Sequence, residues 1–225
     1  MTWQSRSWRR RGHIDESQTH VLPKWMDPLV SVVPTITTSE VTRFEPTDGQ
    51  GRHAAVLILF SSDREVILIE RAHGPQDAVH SGQPAFPGGA VEPYDEDVRA
   101  AAVREAHEEI GLDPTGVQIF GVLPDLWIPV SDFVVSPVLA LFDPTSPIAV
   151  QDSAEVSRVE RVAIDSLSEP SNRLTVVHPS GYRGPGFTVH DMLVWGFTAG
   201  VLDAVLDKSG WARPWDAGRE VAIEQ

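Results

Sequence analysis

The chain has 225 residues, a formal net charge of −14 and 41% hydrophobic residues. This length suits one large domain or one domain with extensions, and the apolar content is ample for a core. The negative charge argues against nucleic acid or an anionic membrane as a general partner. Cysteine is absent, which excludes disulfides, thiolate metal sites and a cysteine nucleophile, and fits a cytoplasmic protein. Because no run of 18 apolar residues occurs, we expect no membrane span.

The first 45 residues are predicted to form an N-terminal extension that is partly helical. Between His20 and Val33, the side chains of Trp25, Leu29 and Val33 recur on one helical face. Residues 34–51 have the composition of a linker. The main domain is predicted to cover residues 46–225 and to include a C-terminal helix.

The main domain begins with two apolar runs that predict a β-hairpin. They are followed by a long loop, a central helix and further apolar runs, whereas residues 176–190 are rich in turn-forming residues. Strands before and after one helix, with a second helix at the end, predict an α/β fold with a mixed sheet between helical layers. The predicted strands are His53–Phe60, Glu65–Arg71, Val117–Val122, Phe133–Leu141 and Ser157–Ile164. The predicted terminal helix is His190–Leu206, with an apolar stripe of Leu193, Phe197, Val201 and Val205 that we expect in the core or across a homodimer.

The most informative stretch runs from Phe86 to Leu112 and reads FPGGAVEPYDEDVRAAAVREAHEEIGL. It opens with a glycine turn and continues into a predicted helix with Asp95 as the N-cap. Gly111 provides the C-terminal stop of that helix.

This helix carries a dense cluster of carboxylates. Glu105, Glu108 and Glu109 fall within one sector roughly 100° wide. Arg104 precedes Glu108 by four residues, so the two side chains can pair. Three carboxylates this close repel one another unless a positive charge lies among them. Hard dications such as Mg²⁺ prefer such an oxygen-only environment, although a solvated acidic helix face is the more ordinary explanation of an isolated Glu-rich run.

The sequence REAHEEIGL with an upstream Gly-Gly resembles the signature of the Nudix hydrolases. The resemblance implies a Nudix-type α/β/α sandwich with a mixed central sheet. It implies a pyrophosphatase activity: hydrolysis, with Mg²⁺ or Mn²⁺, of a diphosphate linkage in a small-molecule nucleoside diphosphate derivative. By the same resemblance, Arg104 is a positioning residue of the catalytic set. The implied metal ligands are Glu105, Glu108, Glu109 and a backbone carbonyl of Gly88 or Gly89.

Two features resemble one subgroup, the coenzyme A diphosphatases. Asp95 stands six residues after Gly89 and nine before Arg104, so the helix entry is one residue longer than in the usual box and has Asp for Glu. The upstream HSGQPAFPGG matches most of the subgroup motif LRxHxGQxxFPGG, and its implied substrate-binding residues are His80 and Gln83, together with Arg71. The Leu-Arg pair of that motif is replaced by Asp77 and Ala78. Coenzyme A therefore stands beside ADP-ribose, a dinucleotide and a nucleoside triphosphate as a candidate substrate.

The general base is left open by the sequence. In the wider family, the general base is either a glutamate of the box or a glutamate of a later loop. Glu155, just before a predicted strand, is the later-loop candidate. Its ordinary interpretation is a surface carboxylate. Two other functions remain: a binding or regulatory module that has kept the fold without the chemistry, and an isomerase acting on an isoprenyl diphosphate.

Overall fold

The computed structural model describes residues 12–19, 21–47, 49–72 and 82–223. The strands in these ranges are β1 (His13–Ile14), β2 (Arg52–Ser61), β3 (Glu65–Arg71), β4 (Pro84–Ala85), β5 (Gly88–Ala90), β6 (Val117–Val122), β7 (Leu126–Ile128), β8 (Phe133–Phe142), β9 (Val156–Ala163), β10 (Arg173–Val177), β11 (Arg183–Val189), β12 (Met192–Val194) and β13 (Glu220–Ala222). The α-helices are α1 (Glu16–Thr19), α2 (Asp27–Val32), α3 (Thr38–Val41), α4 (Val98–Ile110), α5 (Ile164–Ser168) and α6 (Gly196–Lys208).

The strands form two sheets. The larger has the order β1-β6-β8-β2-β3-β4, and β5, β7 and β9 pair with β2, β8 and β3, respectively. Since β2 runs parallel to β8 and antiparallel to β3 and β5, the sheet is mixed, as predicted. The smaller sheet has the order β12-β11-β10-β13.

Strand β2 is the centre of the larger sheet, and its side chains alternate between two apolar cores. Leu57 and Leu59 lie in the core that contains the buried face of α4. Ile58 and Phe60 lie in the opposite core, which contains residues of α2 and α6. The sheet is therefore enclosed by helices on both faces, and the predicted α/β/α sandwich is confirmed.

The N-terminal segment packs into the second of these cores. Leu29 and Val33 are fully buried there, and Trp25 packs its ring against Phe60 at a centroid distance of 6.2 Å. The predicted shared face is thus confirmed, but the helix is short: α2 is flanked by 3-10 turns, because Pro28 and Pro34 cannot continue the α-helical hydrogen bonds. Whether the chain divides near residue 45 remains a prediction.

Two parts of the chain differ from the sequence-based prediction. The supposed linker contains α3, which begins with a capping box between Thr37 and Glu40. The sequence pattern Thr-x-x-Glu indicates the start of a helix, so α3 could have been predicted from the sequence. The turn-rich segment instead contains the last two residues of β10 and all of β11 in the smaller sheet.

The start of the predicted terminal helix was also wrong. Met192–Val194 form β12, so Leu193 belongs to a strand, and α6 begins only at Gly196. The cause is a tight turn at His190 and Asp191, both with positive φ, which reverses the chain into β12. Among the described helices, none has the length and apolar character that a membrane span requires.

Candidate active site

Strand β5 holds the glycine turn against the central strand. Gly88 and Gly89 pair with Val56 and Ala55, and the carbonyl of Pro87 accepts a hydrogen bond from the Leu57 amide at 2.8 Å. A Cβ on Gly88 would lie 2.3 Å from the Ala55 carbonyl oxygen, and its φ is +150°. Only glycine can occupy this position without moving the backbone.

Gly89 is required for a different reason. A Cβ at this position would lie 2.6 Å from both Cδ and Oε2 of Glu105. The missing side chain therefore allows a carboxylate of α4 to approach the main chain of β5. The glycine turn and the carboxylates of the helix form one site because of this close approach.

Helix α4 presents the carboxylates to β5. Its N-cap is Asp97, whose carboxylate accepts hydrogen bonds from the amides of Arg99 and Ala100. The predicted N-cap, Asp95, lies two residues too early, because it belongs to a separate turn before the helix, in which its amide donates to the Glu92 carbonyl. Gly111 ends the helix with φ +67°, as predicted.

Arg104 is the hub of the hydrogen bonds around this helix. It donates to both oxygens of Asp95 at 2.9 Å, and through Nη1 to Glu105 at 2.8 Å and Glu108 at 3.2 Å. It also donates to the carbonyl of Ala90, the last residue of β5, at 3.0 Å. The predicted pair of Arg104 with Glu108 is confirmed. The bidentate pair with Asp95 was missed, since Asp95 lies before the helix and helical spacing does not relate the two residues.

Glu109 is the most buried of the three glutamates, at 2% exposure. Its Oε2 accepts a hydrogen bond from the Gly88 amide at 2.9 Å. Burial raises the pKa of Glu109 to about 8, against the lowering effect of that hydrogen bond and of the Arg71 charge, while the charges of Glu105 and Glu155 raise it further. Burial also raises the pKa of Glu105, against the lowering effect of Arg104, with Glu108 and Glu155 again raising it.

Two residues from outside the helix act on these carboxylates through their charges: Arg71 acts on Glu109, and Glu155 acts on both Glu105 and Glu109. Arg71 ends β3 at a register shift with β9, and its amide donates to the carbonyl of Gln83 at 3.2 Å. Glu155 lies just before β9 and its carbonyl accepts from the amide of Ala72 at 2.8 Å. Its loop is tied to α4, since the Glu109 carbonyl accepts from the amide of Gln151 at 2.9 Å. His80 lies outside the described residues.

The donor set fits a hard dication. Within the described ranges, no group of three or more His, Asp or Glu side chains already stands in a metal-binding arrangement. The carboxylates of Glu105 and Glu108 both face Nη1 of Arg104 instead. Even so, the carboxylates at the glycine turn offer oxygen donors only. Burial, and then the charges of neighbouring glutamates, raise the pKa of Glu105 and Glu109, and Gly89 leaves space for a carboxylate where a Cβ would not. These are the properties expected of a site that binds Mg²⁺ or Mn²⁺.

The chain matches known proteins over the region that contains this site. The NUDIX domain family model matches residues 50–181. The chain is 37% identical over 161 residues to a protein of Enterobacter sp. (strain 638) named "Uncharacterized Nudix hydrolase NudL", covering 67% of this chain and 79% of that protein. It is 35% identical over 158 residues to the protein of the same name from Escherichia coli O7:K1, with the same coverage. Among solved structures, the Nudix hydrolase RenU of M. smegmatis is similar at 18% identity and a TM-score of 0.47, covering 76% of this chain and 99% of RenU.

The α/β/α sandwich, together with a helix that presents glutamates to a glycine turn, is the architecture of a Nudix-type hydrolase. The family model covers more than half of the chain, and the NudL proteins are more than 30% identical over most of their length. The chain belongs to the Nudix hydrolase family.

Proposed function

We propose that this enzyme hydrolyses a diphosphate linkage in a nucleoside diphosphate derivative and depends on a divalent metal ion. One observation carries the proposal: the carboxylates of Glu105 and Glu109 both approach the glycine turn of β5, where Glu109 is buried, Glu105 is partly buried, and their charges repel each other. Such an arrangement is costly for a protein unless a cation compensates it.

Nudix hydrolases generally use divalent metal ions. In this chain, Glu105, Glu108, Glu109 and a carbonyl of Gly88 or Gly89 would hold Mg²⁺ or Mn²⁺. Once bound, the metal would neutralise phosphate oxygens and lower the pKa of a water for attack on phosphorus.

Arg104 is proposed to position the ligands without joining them. Its bidentate bond with Asp95 fixes the guanidinium, which in turn holds Glu105 and Glu108 by one nitrogen. Because Asp95 is 4% exposed at its side chain, solvent competes little for this bond. The turn before α4 therefore controls the orientation of the carboxylates through Arg104.

Glu155 is proposed as the general base from the later loop. Its negative charge acts on Glu105 and Glu109, and its loop is hydrogen-bonded to the C-terminal end of α4. A carboxylate held at the edge of the site can accept the proton of an attacking water. Arg71 is proposed to bind a substrate phosphate, with Gln83 and His80 contributing to substrate binding.

The substrate is proposed to be coenzyme A, cleaved to 3′,5′-ADP and phosphopantetheine, on the strength of the HSGQPAFPGG motif. ADP-ribose and dinucleotides are the alternatives. A panel of these compounds with Mg²⁺ or Mn²⁺, read by the masses of the products, tests the activity and selects among them. Release of 3′,5′-ADP identifies coenzyme A cleavage.

The ligand assignment is tested in the same assay with Glu108→Gln. We expect turnover to fall by at least about 100-fold, since one charged donor is lost, while the thermal unfolding curve is unchanged because Glu108 is 55% exposed. Glu96→Gln is the matched control, as this exposed residue lies before the same helix and outside the site. Full activity of Glu108→Gln would refute the ligand assignment. A wild-type protein that binds the panel but hydrolyses none of it would instead be a binding or regulatory module.

A further inference from the structure

A groove beside the site lies where the edge of the larger sheet meets the smaller sheet. We call it the side groove, and its volume is about 330 Å³, within the range of small-molecule sites. From the larger sheet, Glu70 and Gln83 line it. From the smaller sheet, Asp191, Leu193 and Trp195 line it.

The smaller-sheet wall of the side groove is held in place by the larger sheet. Nδ1 of His190 is 2.7 Å from Oε2 of Glu160, and Nη1 of Arg158 donates to the His190 carbonyl at 3.3 Å. Arg158 also donates two bonds to Oε2 of Glu70, at 2.6 and 3.1 Å. The turn that carries Asp191 is therefore anchored to β9, which lies beside β3. A wall fixed in this way can select among ligands without first having to become ordered.

The side groove is close to the proposed site of hydrolysis. Pro84 lines it, and Gly88 follows four residues later, so the two are at most about 14 Å apart along the chain. The amide of Gly82, another lining residue, donates to the carbonyl of Arg71 at 3.0 Å. One part of a substrate can therefore occupy the side groove while its diphosphate lies at the glycine turn.

The chemistry of the lining defines what can bind. Among the described residues that line the side groove, the charged side chains are two carboxylates, Glu70 and Asp191. Glu70 is paired with Arg158, and the negative charge of Asp191 would repel a phosphate or carboxylate. Leu193 and Trp195 provide apolar surface, and Gln83 adds a polar, uncharged residue to the lining. A carboxylate oxygen favours N–H donors.

We propose that the side groove binds the non-nucleotide end of the substrate, and that this end is amide-bearing, partly apolar and not anionic. This inference rests on the proposed function, since it names the part of the substrate that lies beyond the diphosphate. Two ligand types share this chemistry: a pantetheine arm and a nicotinamide riboside. A sugar phosphate does not.

The test is calorimetric binding of three probes to the full chain without metal: pantetheine, nicotinamide riboside and ribose 5-phosphate. We expect one amide probe to bind at least about tenfold more tightly than ribose 5-phosphate. Leu193→Trp, which places a large ring in the side groove, should weaken that probe at least about tenfold. Asp191→Asn keeps the size of the side chain and tolerates positive φ, and should weaken it about threefold to tenfold by replacing a charged acceptor.

The matched control is Asp63→Asn, which removes an exposed carboxylate at the other end of β3 and should change no affinity. In steady-state kinetics, Leu193→Trp should raise the KM of the substrate that carries the binding arm and leave its kcat within about twofold.

The outcomes separate the two proposals. Hydrolysis without preferential binding of either amide probe, or unchanged binding in Leu193→Trp, would overturn the role of the side groove and leave the proposed function standing. A different outcome is that the protein hydrolyses nothing in the panel but binds an amide probe preferentially, and that Leu193→Trp abolishes this binding. That outcome would refute the proposed function and support the proposed ligand class of the side groove. Which amide probe binds decides between the pantetheine and nicotinamide arms.

Discussion

Gly89→Ala isolates the contact between the glycine turn and the helix. The new Cβ would lie 2.6 Å from Cδ and Oε2 of Glu105, whereas ordinary contacts begin near 3.4 Å. The carboxylate must therefore move by about 1 Å, since it is the end of a flexible side chain and the backbone of β5 is fixed by its pairing with β2. Its 2.8 Å hydrogen bond with Arg104 would be lost or distorted.

The expected effect is a large loss of activity with little loss of stability. A displacement of about 1 Å in a catalytic group can cost about 100-fold in rate, so we expect kcat to fall by that order. Gly89 does not have a positive φ, so alanine introduces no backbone strain there. The free energy of unfolding should change by less than about 1 kcal/mol. Steady-state kinetics on the substrate chosen by the panel and urea unfolding measure the two quantities.

Two further alanine variants serve as comparisons for Gly89→Ala. Gly116→Ala is the matched control, because its Cβ would meet only the Ser146 hydroxyl at 3.6 Å, and it should leave both quantities unchanged. Gly88→Ala should instead destabilise the fold by about 3 kcal/mol or more, since its Cβ would collide with the backbone at Ala55 and Val56. Wild-type activity in Gly89→Ala would refute the close approach of Glu105. A loss of stability as large as that of Gly88→Ala would show that the glycine serves the fold rather than the site.

Three further predictions concern Arg104 and the two long helices, α4 beside the site and α6 on the opposite face of the sheet. Arg104→Lys should lower kcat at least about tenfold and destabilise the fold by about 1–3 kcal/mol. The reason is that a lysine cannot keep the bidentate bond with Asp95 and also the bonds to Glu105 and Glu108. Wild-type kinetics in this variant would contradict the positioning role of Arg104. Asp97→Ala should cost about 1 kcal/mol at pH 7 in urea unfolding. Burial raises the pKa of Asp97, but bonds from Arg99 and its neighbours outweigh it and lower the pKa overall, so the carboxylate stabilises above its unfolded value of about 3.9. The difference between Asp97→Ala and wild type should therefore shrink as the pH falls below about 4, and a constant difference would exclude the charged cap. Gly200→Ala should raise the free energy of unfolding by about 0.5–1 kcal/mol, because alanine is favoured over glycine inside a helix and a Cβ at this position in α6 has room. A decrease would mean that α6 packs more closely against its neighbours than described.

The fold was predictable where hydrophobic periodicity is strong and local. Strands β2, β3, β6, β8 and β9 were each predicted within about two residues of their observed bounds. The smaller sheet was not, because β11 contains Gly184, Pro185 and Gly186, which normally signal turns. These residues form a strand because β10 pairs with each of them, while β12 pairs only with the later residues Phe187–Val189.

Local sequence determines the central helix and its row of glutamates, because helical spacing alone places Glu105, Glu108 and Glu109 together. The same spacing accounts for the pairing of Arg104 with Glu108. Three-dimensional packing decides the rest: which carboxylate is buried, that Asp95 holds Arg104, and that the Gly88 amide reaches Glu109. Each of these contacts joins separate segments of the chain, and both its geometry and its burial arise only when β5 pairs with β2 and α4 packs onto the sheet.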